Sequence, residues 1–199
     1  MTRAERGSDL YAGSVTSKLL SAAAALLLAL SLTACAPEPA PSPTDTVPSA
    51  SSTDPAGVTD GPCADVTGVT VTVDPGALAS AEAPALEKCV PAEGPVGAAE
   101  AFERAGVSTE GTVEYGDQVV CRVNGVPGED QPLPNPDGSE YLEECAAMPA
   151  AFAYWSLWLK PADGEWNYAP EGLSTLQLNP GESVELLFTL NGEPAAPVS

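Results

Sequence analysis

The residues with the most distinctive chemistry in this chain are its five cysteines. One of them, Cys35, follows an apolar segment, and the others lie far apart at Cys63, Cys89, Cys121 and Cys145. Zinc sites usually combine closely spaced cysteines with histidines, but this chain has neither a C-x-x-C pair nor a histidine. We therefore expect two disulfides in an oxidising compartment and no bound metal. Three pairings are possible, and we favour Cys63–Cys89, with Cys121 joined to Cys145, because each bond closes a local loop.

The chain offers few groups suited to catalysis. Besides lacking histidine, it has no G-x-S-x-G nucleophile elbow, no glycine-rich phosphate loop and no EF-hand spacing. The strongest candidates for a pair of catalytic carboxylates are Glu140, Glu143 and Glu144, which lie beside Cys145 in the sequence. A solvated acidic loop explains this group better, so we predict no catalytic residue, no cofactor and a protein that is not an enzyme.

The segment before Cys35 has the features of an export signal. Basic residues at Arg3, Arg6 and Lys18 precede an apolar run over residues 19–32, which is shorter than the roughly 20 residues of a membrane span. The run ends in Leu-Thr-Ala-Cys at residues 32–35, which resembles the lipobox of bacterial lipoproteins. In that family the signal peptidase cuts just before the cysteine, and a diacylglyceryl group is joined to its thiol.

This resemblance implies that Cys35 is lipidated and that its partner is the lipid bilayer at the outer face of the bacterial cell membrane. The lipid chains would hold the protein firmly, because each buried CH₂ contributes about 0.8 kcal/mol. An ordinary signal peptide followed by a chance cysteine is the alternative.

The chain is strongly acidic, with 28 Asp and Glu residues, 7 Lys and Arg residues and a net charge of −21. After removal of the leader, the remaining basic residues are Lys88, Arg104, Arg122 and Lys160. Such a surface repels phosphate, so we expect no nucleic-acid partner. We interpret the charge mainly as a source of solubility outside the cell.

Composition divides the chain into four segments. Residues 1–34 are predicted to be the signal peptide, and residues 35–62 the lipidated cysteine with a Pro/Ser/Thr-rich tether. The tether has no apolar periodicity, so we expect it to be disordered and partly extended. Residues 63–191 are predicted to form one folded domain, and residues 192–199 a loose tail.

The folded segment has the pattern of several strands and one helix. Alternation of Val and Thr over residues 69–73 predicts a half-buried strand. Further strands are predicted at residues 87–90, 119–123, 152–159, 165–168, 175–178 and 183–190, with turns at 124–125 and 179–182. This order predicts a disulfide-stabilised α+β fold, in which the helix packs on a mainly antiparallel β-sheet.

The helix is predicted over residues 96–105. Its buried face is expected to carry Val96, Ala99, Phe102 and Ala105, because these positions share one side of an α-helix. The residue that follows, Gly106, is predicted to cap its carboxyl end.

The aromatic residues are concentrated in a predicted hairpin over residues 152–168, which contains all three tryptophans. Strand alternation places Tyr154 and Trp158 on one face and Trp155 on the other. One face is expected to be core, and the second needs a cover from the chain, a partner or a flat ligand. We expect Trp158 or Tyr154 to be exposed, although a core position is the simpler interpretation of any single aromatic.

We predict that this hairpin forms the binding surface for an unknown small molecule or an envelope protein. Its predicted binding residues are Tyr154, Trp155, Trp158, Trp166 and Tyr168. Tyrosine and tryptophan suit recognition, since they combine rigid apolar area with a polar tip. The alternative is a protein-interaction or envelope adhesion module that has no small-molecule ligand.

The hairpin also carries a family resemblance. Tyr-Trp-Ser-Leu-Trp at residues 154–158, followed by Gly-Glu-Trp-Asn-Tyr-Ala at 164–169 and by Gly172, resembles a motif of secreted actinobacterial proteins of unassigned function. The segment from Cys121 to Pro127 resembles that family's Cys-x-x-x-Gly-x-Pro element. Those proteins are similar to the C-terminal domain of transcobalamin and intrinsic factor, which is β-grasp-like.

The resemblance covers nearly all of residues 63–190 and implies a β-grasp-like fold, with a corrinoid-like ligand by analogy only. The chain departs from the family pattern at Leu157, where an aromatic is common, and over residues 182–188, which lack the family's tryptophan and arginine. We also expect no counterpart of the helical domain with which transcobalamin closes over cobalamin.

Overall fold

The computed structural model describes residues 57–65 and 67–198. All of them belong to the second of the two units into which the chain divides, Val47–Ser199. The predicted signal peptide, Cys35 and the tether as far as residue 56 lie outside the described residues. Within those residues, no helix has the length and apolarity needed to cross a membrane.

The described elements are twelve strands and one α-helix, with one short 3-10 turn at Gly76–Leu78. In chain order they are β1 (Thr59–Asp60), β2 (Gly68–Asp74), β3 (Leu86–Pro91), β4 (Val96–Gly97), α1 (Ala98–Arg104), β5 (Thr109–Thr112), β6 (Gly116–Val123), β7 (Leu133–Pro134), β8 (Glu140–Tyr141), β9 (Ala153–Lys160), β10 (Asn167–Tyr168), β11 (Gln177–Leu178) and β12 (Ser183–Leu190). The predicted mixture of one helix with a mainly β structure is confirmed.

A six-stranded sheet with the order β1-β3-β2-β12-β9-β10 forms the centre of the domain. Neighbouring strands are antiparallel except β2 and β12, which are parallel. The prediction that the strand at residues 69–73 is half-buried was wrong, because Thr70 is buried as well as its valine neighbours. Strands β2 and β12 lie at the centre of the sheet, so both of their faces are largely covered.

The hydrophobic core lies on one face of the sheet, where α1 packs. Valines of β2, such as Val69 and Val71, pack there with Phe102 of the helix. The helix begins at Ala98 rather than residue 96, because Val96 and Gly97 pair with β11.

The prediction for Ala99 was wrong, since that residue is exposed. Phe102 and Ala105 are buried as predicted, and Ala98 and Ala101 complete the buried face. The predicted cap at Gly106 is confirmed, with a φ of 81° and an N–H that donates to the carbonyl of Glu103.

Both predicted disulfides are confirmed. Cys63 joins Cys89 with a Cα–Cα distance of 4.7 Å, and Cys121 joins Cys145 with a Cα–Cα distance of 5.6 Å. The first bond ties the chain before β2 to β3. The second ties β6 to the segment after the small hairpin of β7 and β8.

The two ends of the described domain differ from the predicted boundaries. Val58 is buried in the core and β1 pairs with β3, so the folded part begins upstream of residue 63. The tail is also attached at its start, because Leu190 and Glu193 exchange backbone hydrogen bonds and the Thr189 hydroxyl donates to the carbonyl of Pro194. The two boundary predictions, at residues 62 and 192, therefore need correction.

Candidate functional site

The core side of the aromatic hairpin is as predicted. Trp155 on β9 is 7% exposed and makes an edge-to-face contact with Phe188 of β12, with ring centroids 5.3 Å apart. Its indole N–H donates to the carbonyl of Val126 at 2.9 Å. Trp155 therefore joins the sheet to the hairpin turn that follows β6.

The opposite side of β9 differs from the prediction for Trp158. This residue is only 6% exposed, because the ring of Tyr168 on β10 stacks on it with ring centroids 4.0 Å apart. The Trp158 indole donates to the hydroxyl of Ser156, which in turn donates to the carbonyl of Leu187. The chain itself therefore covers Trp158. The expectation was that Trp158 or Tyr154 is exposed, and Trp158 is not.

Tyr168 and Tyr154 form the outer part of this aromatic cluster. Tyr168 is 58% exposed, and Tyr154 is half-buried. A hydrogen bond with Tyr154 raises the pKa of the Tyr168 hydroxyl, with burial as a smaller cause. The Tyr168 hydroxyl thus stays protonated over the physiological range.

A row of five side chains crosses the second face of the sheet in register. Starting from β3, the row consists of Glu87, Thr72, Glu185, Trp158 and Tyr168. Its polar and aromatic halves meet at the centre of the sheet, where β12 and β9 pair. This face therefore combines carboxylates and aromatic rings, whereas the opposite face is core.

The polar half of the row borders a cavity of about 380 Å³, which we call the acidic cavity. Its walls combine carboxylates with apolar side chains and one tryptophan: Thr72, Val73, Asp74, Ala85, Leu86, Glu87, Trp166, Glu185 and Val198. Glu185 is 5% exposed. Burial raises its pKa to about 7, and repulsion from Asp74 and Glu87 adds to the shift.

A second hollow, which we call the apolar groove, has a volume of about 340 Å³. It is lined by Val119 of β6, the segment just before β9 and the start of β9 itself: Val119, Met148, Pro149, Ala150, Ala151, Tyr154 and Trp155. Met148 is 61% exposed, so the groove is open to solvent. The disulfide of Cys121 and Cys145 lies close to it along both chain segments.

The structure therefore separates the five predicted binding residues. Tyr154 and Trp155 line the apolar groove, Trp158 and Tyr168 stack on each other, and Trp166 borders the acidic cavity. Tyr154 belongs to two of these groups, because it is also hydrogen-bonded to Tyr168. Their separation follows from strand alternation and from the short pairing of β10 with only part of β9.

Sequence reasoning missed Glu185. The available signal was an acidic residue within the otherwise apolar stretch of residues 184–188. An acid at a single alternating position of a strand normally faces solvent. Here the strand is central in the sheet, so the side chain is buried.

The acidic residues around the second disulfide are held by hydrogen bonds within the domain. Glu143 is buried and accepts hydrogen bonds from the Tyr141 hydroxyl and from the N–H of Cys145, each at 2.8 Å. Burial and this carboxylate raise the pKa of Tyr141 to about 12. The guanidinium of Arg122 donates to the carbonyls of Pro127 and Glu143 and to the carboxylate of Glu110.

Among the described residues, Cys121, Glu143 and Cys145 are the group whose potential metal-ligand atoms lie within 4.8 Å of one another. Both sulfurs are used in the disulfide, so they are not available as thiolate ligands. The Glu143 oxygens are also both occupied by hydrogen bonds. This group therefore stabilises the loop.

Comparison with known proteins identified no relative of this chain. No protein-family model, curated protein or solved structure matches the chain. The choice between the candidate sites therefore depends on their side chains and geometry.

Proposed function

We propose that this chain is a non-catalytic binding lipoprotein, anchored by lipid on Cys35 to the outer face of the bacterial cell membrane. The Leu-Thr-Ala-Cys sequence directly after an apolar run supports the anchor. The two disulfides support an oxidising compartment outside the cytoplasm. On this proposal the residues between Cys35 and the first strand act as a tether for the binding domain.

The fold that we propose is β-grasp-like. Its support is the sheet order, in which the hairpin strands β2 and β3 precede the helix and the last strand β12 lies parallel beside β2. The proposed likeness to the C-terminal domain of transcobalamin extends to fold only. A corrinoid ligand is therefore an analogy, since one fold supports many functions.

The observation that carries the proposed binding function is the apolar groove. Its volume of about 340 Å³ lies within the usual range of small-molecule pockets, about 300–1,000 Å³. Tyr154 and Trp155 offer it rigid aromatic surface, and Trp155 is held in place by its contact with Phe188. The nearby disulfide restrains the groove walls, which lowers the conformational cost of binding.

The experiment is a fluorescence titration of the full chain in neutral detergent. Nile red, a neutral apolar dye, is the groove probe, and cyanocobalamin tests the corrinoid class. Met148→Asp should abolish saturable binding without unfolding the domain, because Met148 is 61% exposed. The matched control is Val113→Asp, which places the same charge on a residue that is 87% exposed and outside the groove lining. Equal binding by the wild type and Met148→Asp would refute the groove assignment.

A protein partner is the second candidate function. Val113, Met148 and Leu142 are exposed apolar side chains, and the N–H of Val113 donates to the carbonyl of Cys145, close to Met148 in sequence. Exposed apolar groups gathered in one region are typical of interaction surfaces. If chemical crosslinking to an envelope protein is lost in both Asp variants while no dye binds, this second function is supported.

A further inference from the structure

Glu185 is a largely buried carboxylate with no partner among the described residues. It is 5% exposed and forms part of the wall of the acidic cavity. No hydrogen bond or ion pair connects its side chain with another described residue, and its charged neighbours Asp74 and Glu87 repel it. Its carboxylate oxygens reach the cavity, because no fully enclosed side-chain oxygen of the described residues lacks a hydrogen-bond partner. A largely buried carboxylate without a positively charged partner is costly, so such a group favours either protonation or a bound cation.

The cations of the described domain are all held elsewhere. Lys88 pairs with Asp60 at 2.6 Å, and Arg104 donates to the carbonyl of Pro91. The side chain of Arg122 is bound in the acidic loop. Lys160 has its ammonium 5.8 Å from the ring centroid of Trp166 and forms no ion pair with Glu185. No Lys or Arg of the described residues therefore neutralises Glu185.

We propose that the acidic cavity binds a small aliphatic diamine through Glu185 and the carboxylates of Asp74 and Glu87. An ammonium group supplies the hydrogen-bond donors and the positive charge that Glu185 lacks. Ala85, Trp166 and Val198 supply apolar surface for the methylene groups of the ligand. This site goes beyond the proposed groove function, because its residues are distinct from those of the groove.

The spacing of the carboxylates favours a diamine over a metal ion. Calcium takes six to eight oxygen ligands at about 2.3–2.6 Å, so its carboxylates must converge on one point. Asp74, Glu87 and Glu185 do not form a group of ligand atoms within 4.8 Å of one another. Carboxylates that do not converge on one point can instead be shared between two ammonium groups joined by a short chain.

Trp166 adds a specific recognition element. Its ring already attracts the ammonium of Lys160, which shows that the ring is placed for a cation–π contact beside the cavity. Lys160 lies on the same sheet face as Glu185, since it pairs with Ser183 two residues along β12. In the bound state the ligand and Lys160 compete for this region, so removal of the lysine charge should strengthen binding.

Binding should depend on pH through Glu185. Its pKa of about 7 means that it is largely protonated at pH 6 and ionised at pH 8. Alkylammonium groups remain charged up to about pH 10. The charged groups that act on Glu185 are Asp74 on β2 and Glu87 on β3, and Lys160 on β9 shares the same face of the sheet. Affinity should therefore increase from pH 6 to pH 8, with release of a proton on binding at the lower pH.

The test is isothermal titration calorimetry of the full chain in neutral detergent, with putrescine as the probe. We expect saturable binding of one putrescine per chain at pH 8. Glu185→Gln should weaken it by about tenfold or more, the effect of one charge-assisted hydrogen bond. The matched control is Glu103→Gln, which removes the same charge from the exposed side of α1. Lys160→Gln should bind more tightly than the wild type.

A second variant keeps the test decisive if Glu185→Gln does not fold. Glu87 is exposed, so Glu87→Gln should fold normally and still weaken putrescine binding. The inference is overturned if putrescine does not bind, if Glu185→Gln and Glu103→Gln bind alike, or if calcium displaces putrescine at equal concentration.

Discussion

Glu185 and Trp158 lie directly opposite each other on the antiparallel strands β12 and β9. Both side chains are buried on the second face of the sheet, with exposed fractions of 5% and 6%. The indole is closed off by Tyr168, whereas the carboxyl borders a cavity. This pair therefore marks the boundary between an aromatic cluster that the chain completes by itself and an acidic cavity that it leaves open.

The pKa of Glu185 predicts that the domain is more stable at pH 5 than at pH 8. Its folded pKa of about 7 lies above the ordinary glutamate value of 4.5, so the folded state binds more protons than the unfolded state between these values. The stabilisation is complete below about pH 4.5 and is lost as pH increases through 7. We expect Glu185 to lower the free energy of unfolding by about 1–3 kcal/mol between pH 5 and pH 8.

Urea denaturation at several pH values measures this effect. Glu185→Gln should remove most of the change between pH 5 and pH 8, and Glu103→Gln should retain it because Glu103 is exposed. A pH dependence that is the same in both variants would show that other groups cause it.

Replacing Trp158 should destabilise the fold about as much as replacing Trp155. Both indoles are buried, so Trp155→Ala and Trp158→Ala should each lower the free energy of unfolding by about 3–5 kcal/mol. Tyr168→Ala should cost less, because Tyr168 is 58% exposed. It should instead make Trp158 accessible to acrylamide, which quenching of tryptophan fluorescence will detect. If Trp158→Ala leaves the unfolding midpoint unchanged, the stacked arrangement is incorrect.

The disulfides should differ in their effect on the apolar groove. Removing either bond by a double Cys→Ala substitution should cost about 3 kcal/mol, since the two loops have similar lengths, with separations of 26 and 24 residues. Only loss of Cys121–Cys145 should weaken Nile red binding, because only that bond lies beside the groove. The Cys63–Cys89 variant is the matched control, and equal loss of dye binding in both would contradict this local effect.

Cys35→Ser should prevent lipidation. We expect unprocessed precursor or protein released from the membrane, because the thiol that carries the diacylglyceryl group is gone. Metabolic labelling with a palmitate analogue and fractionation of cells measure both results. Cys63→Ser serves as a control, since its thiol is outside the Leu-Thr-Ala-Cys sequence. A Cys35→Ser protein that still carries label and stays in the membrane would exclude this anchor.

The sequence by itself determined the local structure of the domain. Alternation of Val and Thr predicted β2, the Asn-Pro-Gly-Glu sequence predicted the turn before β12, and short loop lengths predicted both disulfides. Gly181 has a φ of 93° and Glu182 donates to the carbonyl of Asn179, as a type II turn requires. These features depend on residues close together in the chain, so the sequence pattern is sufficient to predict them.

Tertiary structure decided which side chains are covered. The pairing of β12 between β2 and β9 buried Glu185, and the return of β10 placed Tyr168 over Trp158. Alternation along one strand predicts which residues share a face, but it does not predict which other elements cover that face. Burial of a side chain depends on elements distant in sequence, so the acidic cavity and the covered tryptophan emerged only when the strands were assembled.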